Sequence, residues 1–81
     1  MLELTLFEIE ANIKGKINAD SLAKAAAMSS PHLQRLFRLA FERPLAGYIR
    51  SRKLAASLEA LLKTDLRVID IAVFFGYIDH S

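Results

Sequence analysis

Between Met28 and Arg38 the chain reads MSSPHLQRLFR: a turn, a helix start, then a helix with two unlike faces. Leu33, Leu36, Phe37 and Ala40 recur at i, i+3, i+4 and i+7, an apolar stripe that calls for burial. Pro31, Gln34, Arg35 and Arg38 follow the same spacing on the opposite side, with no carboxylate until Glu42. A helix divided in this way needs other helices under one face and leaves the other face free. Arg pairs bidentately with guanine and Gln with adenine in the DNA major groove. The outer face therefore reads as a base-reading surface.

The segments around it are short helices with their own punctuation. Thr5-Leu6-Phe7-Glu8 has the pattern of a capping box, with Leu4 and Ile9 as its hydrophobic staple, and Gly15 is placed to end the helix. These signals predict a first helix over Leu6 to Lys14. Asn18 is the next cap, flanked by Ile17 and Leu22, and a second helix runs from about Ala19 to Ala26. Its Ala23 and Ala26 let another helix approach closely. Ala27-Met28-Ser29 makes a turn. Ser29 or Ser30 caps the third helix, and Pro31 falls in the first turn, where its missing amide hydrogen costs nothing. Two helices joined by a turn of about three or four residues have the helix-turn-helix spacing.

Pro44 disfavours helical geometry at Arg43, so the third helix should fade near Glu42. Leu45 to Lys63 is the longest periodic segment. At ~1.5 Å per residue it spans roughly 28 Å. Leu45, Tyr48 and Ile49 mark one patch expected to be buried, and Leu54, Leu58, Leu61 and Leu62 a second, with Arg50, Arg52 and Lys53 between them. A rod that is apolar at both ends suits a strut between two packing units. A fifth helix is expected over Val68 to Phe75, with Gly76 as a left-handed C-cap, and Asp79 is a plausible cap for a sixth. A faint internal echo links Leu22-Ala23 before Ala27-Met28 to Ile71-Ala72 before Gly76-Tyr77. The predicted fold class is all-α: a helix-turn-helix unit (1–43), a long central linker helix (44–63) and an incomplete second helix-turn-helix (64–81), stopping before a second recognition helix.

Composition narrows the function. The 81 residues suffice for one small domain or two very small ones sharing a helix. Without Cys there is neither a disulfide framework nor a thiolate metal site. No apolar run is long enough for a bilayer and no segment resembles a signal peptide, so a cytoplasmic location is expected. Net charge is only +2, but ten Lys or Arg fall between Lys14 and Lys63 against Asp20, Glu42 and Glu59. Asp79-His80-Ser81 contains the letters of a hydrolase triad, yet adjacent residues cannot each hold the oriented partner the roles need. His32 and His80 are the only histidines, and the glycines are isolated rather than gathered in a phosphate loop. Neither catalysis, a metal nor a cofactor is expected.

At this point LAKAAAMSSPHLQRLFR, GYIRSRKL and DIAVFFGY, in that order and spacing, resemble the AraC/XylS family of transcription regulators, and especially its compact stress-response members. The resemblance spans essentially the whole chain. It implies two helix-turn-helix units joined by a long helix, duplex DNA as partner, and regulation of promoters, where RNA polymerase is a further partner. The family's base-reading positions on the first recognition helix match Pro31, Gln34 and Arg35; the closest members carry Trp where this chain has Pro31. Ser30, His32, Arg38, Arg43, Arg50, Arg52 and Lys53 are candidates for phosphate contact. Ala27 stands where the family usually has Gly, and would cost on the order of 1 kcal/mol if that residue needs positive φ. Glu42 stands where a Gly often follows the third helix, so a different corner is expected there.

A competing expectation comes from the fifth helix. Val68, Ile69, Ile71, Ala72, Val73, Phe74 and Phe75 make it apolar nearly all round, which implies burial on more than one side. Self-association through Ile69, Val73 and Phe74, giving a homodimer, follows from that. The rival function is a small helical interaction module that binds no DNA of its own.

Overall fold

The structure, a computed structural model, describes residues 2–77. Five helices follow one another: α1 Leu2–Ala11, α2 Ala19–Ala25, α3 Ser30–Phe41, α4 Leu45–Lys63 and α5 Val68–Phe74. The expected sixth helix, its cap Asp79, and the Asp79-His80-Ser81 run lie outside the described residues.

The first unit closes around Ile9 of α1, Leu22 and Ala23 of α2, Leu33 and Phe37 of α3 and Leu45 of α4, all buried. Local chemistry places these helices. The Asn18 side chain accepts from the Ser21 amide at 2.8 Å, and that of Ser29 accepts from the His32 amide at 3.3 Å, so α2 and α3 each start on a side-chain cap. Between them Ala27 takes φ 57, and the amides of Ala27 and Met28 close onto the Lys24 and Ala23 carbonyls. That pair of bonds is a Schellman ending, which requires a left-handed residue. At the end of α5 the pattern recurs: Gly76 has φ 76, and the Gly76 and Tyr77 amides close onto the Val73 and Ala72 carbonyls. The two seven-residue helices begin at residues 19 and 68, so the internal echo is a structural repeat at a spacing of 49.

Glu42 does not reshape the corner after α3. It adopts φ 56, the left-handed C-cap conformation a glycine would supply. The corner is held from both sides, because Phe37, Phe41 and Tyr48 form an aromatic cluster with ring centroids 4.5 to 6.3 Å apart. Pro44, at φ −64, then opens α4.

Several expectations are corrected. α1 starts at Leu2 rather than Leu6, so Thr5 is a buried interior residue and not a cap. Its hydroxyl finds no hydrogen-bond partner among the described residues. Ser/Thr-x-x-Glu fits a helix interior as well as a helix start, and the apolar face extends N-terminally to Leu2 and Leu6, which pack on the core. α1 also ends at Ala11 rather than Lys14, where the Asn12 side chain takes the Glu8 carbonyl at 2.8 Å and competes with the next helical bond. On α3, Ala40 is exposed, because burial follows Leu33 and Phe37 toward the half-covered Phe41.

The largest departure is on α4. Leu54, Leu58, Leu61 and Leu62 are exposed, Leu62 by 86%. The covered residues in this part of α4 are instead Lys53, Ala56, Ser57 and Ala60. Nor is α5 covered on more than one side: Ile71 and Phe75 are buried, whereas Val68, Ile69 and Phe74 remain exposed. No helix among the described residues is long and apolar enough to cross a membrane.

Candidate nucleic-acid interface

α3 presents the candidate site because its other face is fixed. Leu33 and Phe37 have no exposed surface, which locks the rotation of the helix about its axis. Pro31, Gln34, Arg35 and Arg38 then fall outward, all exposed. Gln34 Nε2 donates to Ser30 Oγ at 3.0 Å, a bond across one helical turn that orients the amide and leaves its second N–H and its oxygen free. Arg35 and Arg38 make no hydrogen bond or ion pair among the described residues, so both guanidiniums keep every donor available. With Pro44 and Leu45 they and Gln34 line a shallow groove of about 230 Å³ beside the start of α4.

The flanking candidates separate into two groups. Ser30 is half-buried and His32 exposed, both in the first turn of α3, where amides and the positive helix end favour an anion. Arg50 is exposed and without a partner among the described residues. Arg43 donates from Nη2 to the Gly47 carbonyl at 3.2 Å and to Ser51 Oγ at 2.7 Å, and lies 5.9 Å from the Tyr48 ring centre. Its Nε and second amino group stay free, so it braces the corner while still offering charge.

Arg52 and Lys53 are different. Arg52 Nε reaches Glu10 Oε1 at 2.5 Å, and that carboxylate raises the guanidinium's pKa further above its ordinary value. The charge is balanced inside the chain. Lys53 Nζ donates to the carbonyls of Ile13, Gly15 and Phe75, and burial lowers its pKa from the ordinary lysine value. An ammonium with three protein acceptors has no proton left for a phosphate. The hydrogen bonds of Lys53 thus stay within the chain, and Arg52 would have to break an ion pair before meeting a phosphate. Spacing along α4 could not reveal this, because the partners lie 22 to 42 residues away along the chain.

A second concave surface lies on α5. Leu66, Arg67, Ile69, Asp70, Val73 and Phe74 line a groove of about 650 Å³. Its titratable groups, Arg67 and Asp70, pair with each other at 3.2 Å across the first turn of α5. Among the described residues no group of three or more His, Cys, Asp or Glu side chains is placed to hold a metal ion.

Comparison with known proteins bears on this geometry. A family model described as a helix-turn-helix domain matches residues 22–81. The regulatory protein SoxS of Salmonella typhimurium is 37% identical over 78 residues, 95% of this chain and 73% of that protein. The HTH-type transcriptional activator AarP of Providencia stuartii is 36% identical over 69 residues, covering 85% of this chain but only 51% of its own length. The chain thus spans about half of that relative. Among solved structures, the C-terminal domain of the two-component response regulator yesN from Fusobacterium nucleatum superposes with a TM-score of 0.88 at 25% identity, over 96% of this chain and 81% of that one.

Proposed function

The chain belongs to the AraC/XylS family of helix-turn-helix transcription regulators, and from that premise we propose that it binds duplex DNA sequence-specifically, with α3 in the major groove. One observation carries the reading: Gln34, Arg35 and Arg38 stand exposed on a helix whose opposite side buries Leu33 and Phe37 fully. Gln34 and Arg35 read base edges, and Pro31 offers an apolar contact beside them. Ser30, His32, Arg38, Arg43 and Arg50 hold phosphates and set the register. Residues 1–43 form the reading unit, 44–63 the strut and 64–81 the start of a second unit. This is the work of a regulator rather than an enzyme. RNA polymerase is a further partner in this reading, as regulation at a promoter would require.

Arg35→Ala tests the assignment. It should cost about 1–3 kcal/mol at one base pair and relax selectivity there, while leaving affinity for other sequences little changed. A uniform loss on all sequences would mean that Arg35 touches only backbone. Binding should fall steeply with salt.

A second reading concerns α5. Ile69, Val73 and Phe74 correspond, at the repeat spacing of 49, to Asp20, Lys24 and Ala25 on α2, all exposed in the first unit. Their apolar character is thus not a requirement of the repeated fold. We assign them to self-association of two copies through α5. A strictly monomeric mass by light scattering at high protein concentration would remove this assignment and leave the DNA reading intact.

A further inference from the structure

We infer that Lys53 is a positioning residue: it joins the two units and sets the angle of α5 against α3. The inference deepens the DNA-binding reading and rests on it for its consequence. Lys53 Nζ donates at 2.9 Å to the Ile13 carbonyl, at 2.5 Å to Gly15 and at 2.9 Å to Phe75. All three ammonium protons are used. The acceptors come from two separate places, the turn that follows α1 and the cap that ends α5. Carbonyls at helix C-termini carry partial negative charge, so the ammonium sits where two such ends converge.

Further contacts close the seam around it. A Cβ on Gly76 would stand 3.6 Å from the Gly15 oxygen and 3.9 Å from Lys53 Nζ. On either side, Arg52 holds Glu10 of α1, and Lys14 lies 5.8 Å from the ring centre of Phe74 on α5. The position equivalent to Lys53 in the first unit is Leu4, which is 44% exposed. The ammonium is therefore no part of the packing that the two units share. It belongs to the join between them. If both units meet one duplex, whose successive major-groove sites lie roughly 34 Å apart, the angle at this join decides how the second lands.

The test uses the 81-residue chain and its Lys53→Met variant, which keeps the apolar stem and removes every donor. Residual dipolar couplings are measured on amides of α2, α3 and α5. In the parent, one alignment tensor should fit all three helices. In Lys53→Met, α2 with α3 and α5 alone should each still fit, while no single tensor fits them together. A common tensor in the variant would overturn the inference. The salt dependence of binding to duplex DNA gives a second reading: its slope should be unchanged by Lys53→Met, whereas a slope smaller by about 1 would place Lys53 on a phosphate and overturn it. Should the variant not fold, the Lys53 ammonium resonance of the parent decides. Protection from solvent exchange, unmoved by added DNA, supports the join, and a resonance that exchanges freely or shifts on binding overturns it. Failure of the parent to bind DNA would remove the functional reading and leave the tensor comparison to judge the join.

Discussion

The two units of this chain use the same local devices in opposite surroundings. α2 and α5 are both seven residues long, and both close with a left-handed residue. The correspondence extends to the helices before them, since Thr5, Ile9 and Ile13 of the first unit match Leu54, Leu58 and Leu62 at the same spacing. In the first unit Thr5 and Ile9 are buried, and Leu33 and Phe37 of α3 close the core around Ile9. In the second unit the matching leucines are exposed, and the described residues include no counterpart of α3 to cover them. The comparison separates two kinds of exposed apolar surface. Leu54, Leu58 and Leu62 lie where a helix like α3 would pack. Ile69, Val73 and Phe74 lie where the first unit keeps residues in solvent.

Matched substitutions test this contrast directly. Ile9→Ala should destabilise by about 2–5 kcal/mol, because it leaves a cavity in a closed core. Its counterpart Leu58→Ala should stay within about 0.5 kcal/mol. Urea unfolding of the two variants measures both. An equally large loss at Leu58 would mean that its face is covered in solution, and would break the contrast.

The left-handed closing residues give the next effect. Ala27 carries a Cβ at φ 57, whereas Gly76 has none at φ 76. Ala27→Gly should therefore stabilise by about 1 kcal/mol, and Gly76→Ala should destabilise by a similar amount. Effects of the same sign would show that the two turns are not equivalent. Any Cβ at Gly76 meets its neighbours at ordinary contact distances, so the cost there is conformational rather than steric.

The smallest effect belongs to the outer surface of α4. Lys63 Nζ lies 2.9 Å from Glu59 Oε1, and it holds the Glu59 carboxyl below its ordinary pKa. A carboxylate whose folded pKa is depressed adds stability that is present above its unfolded pKa and lost as pH falls through the folded one. The contribution should thus be full at neutral pH and vanish in the acid range below 4.5, the ordinary value. Lys63→Ala should raise the Glu59 titration, followed by NMR, toward that value. No such change would show the pair to be open in solution.

Much of the architecture was legible in the chain because its cues are local. Asn18, Ser29, Pro44 and Gly76 act through their own backbone and the next turn, and the elements they bound lie where they indicate. The exposed face of α3 was legible for a related reason: a stripe of Leu33 and Phe37 fixes the opposite face by helix geometry alone. Thr5 misled because a cap motif and a helix interior can share the same four letters. The internal partners of Lys53 and Arg52 were not legible, because a basic residue looks alike whether it serves a ligand or its own protein. Only distant partners, Glu10, Gly15 and Phe75, distinguish the two.

Residue order therefore settled where helices start, stop and divide into faces, since each of those choices is made within one or two turns of backbone. It could not settle which of two similar apolar stripes would find a cover, Ile9 under α3 or Leu58 in the open. Nor could it settle which cations would be drawn inward. Those outcomes depend on segments dozens of positions apart arriving side by side, and burial and charge pairing come into being only with that arrival.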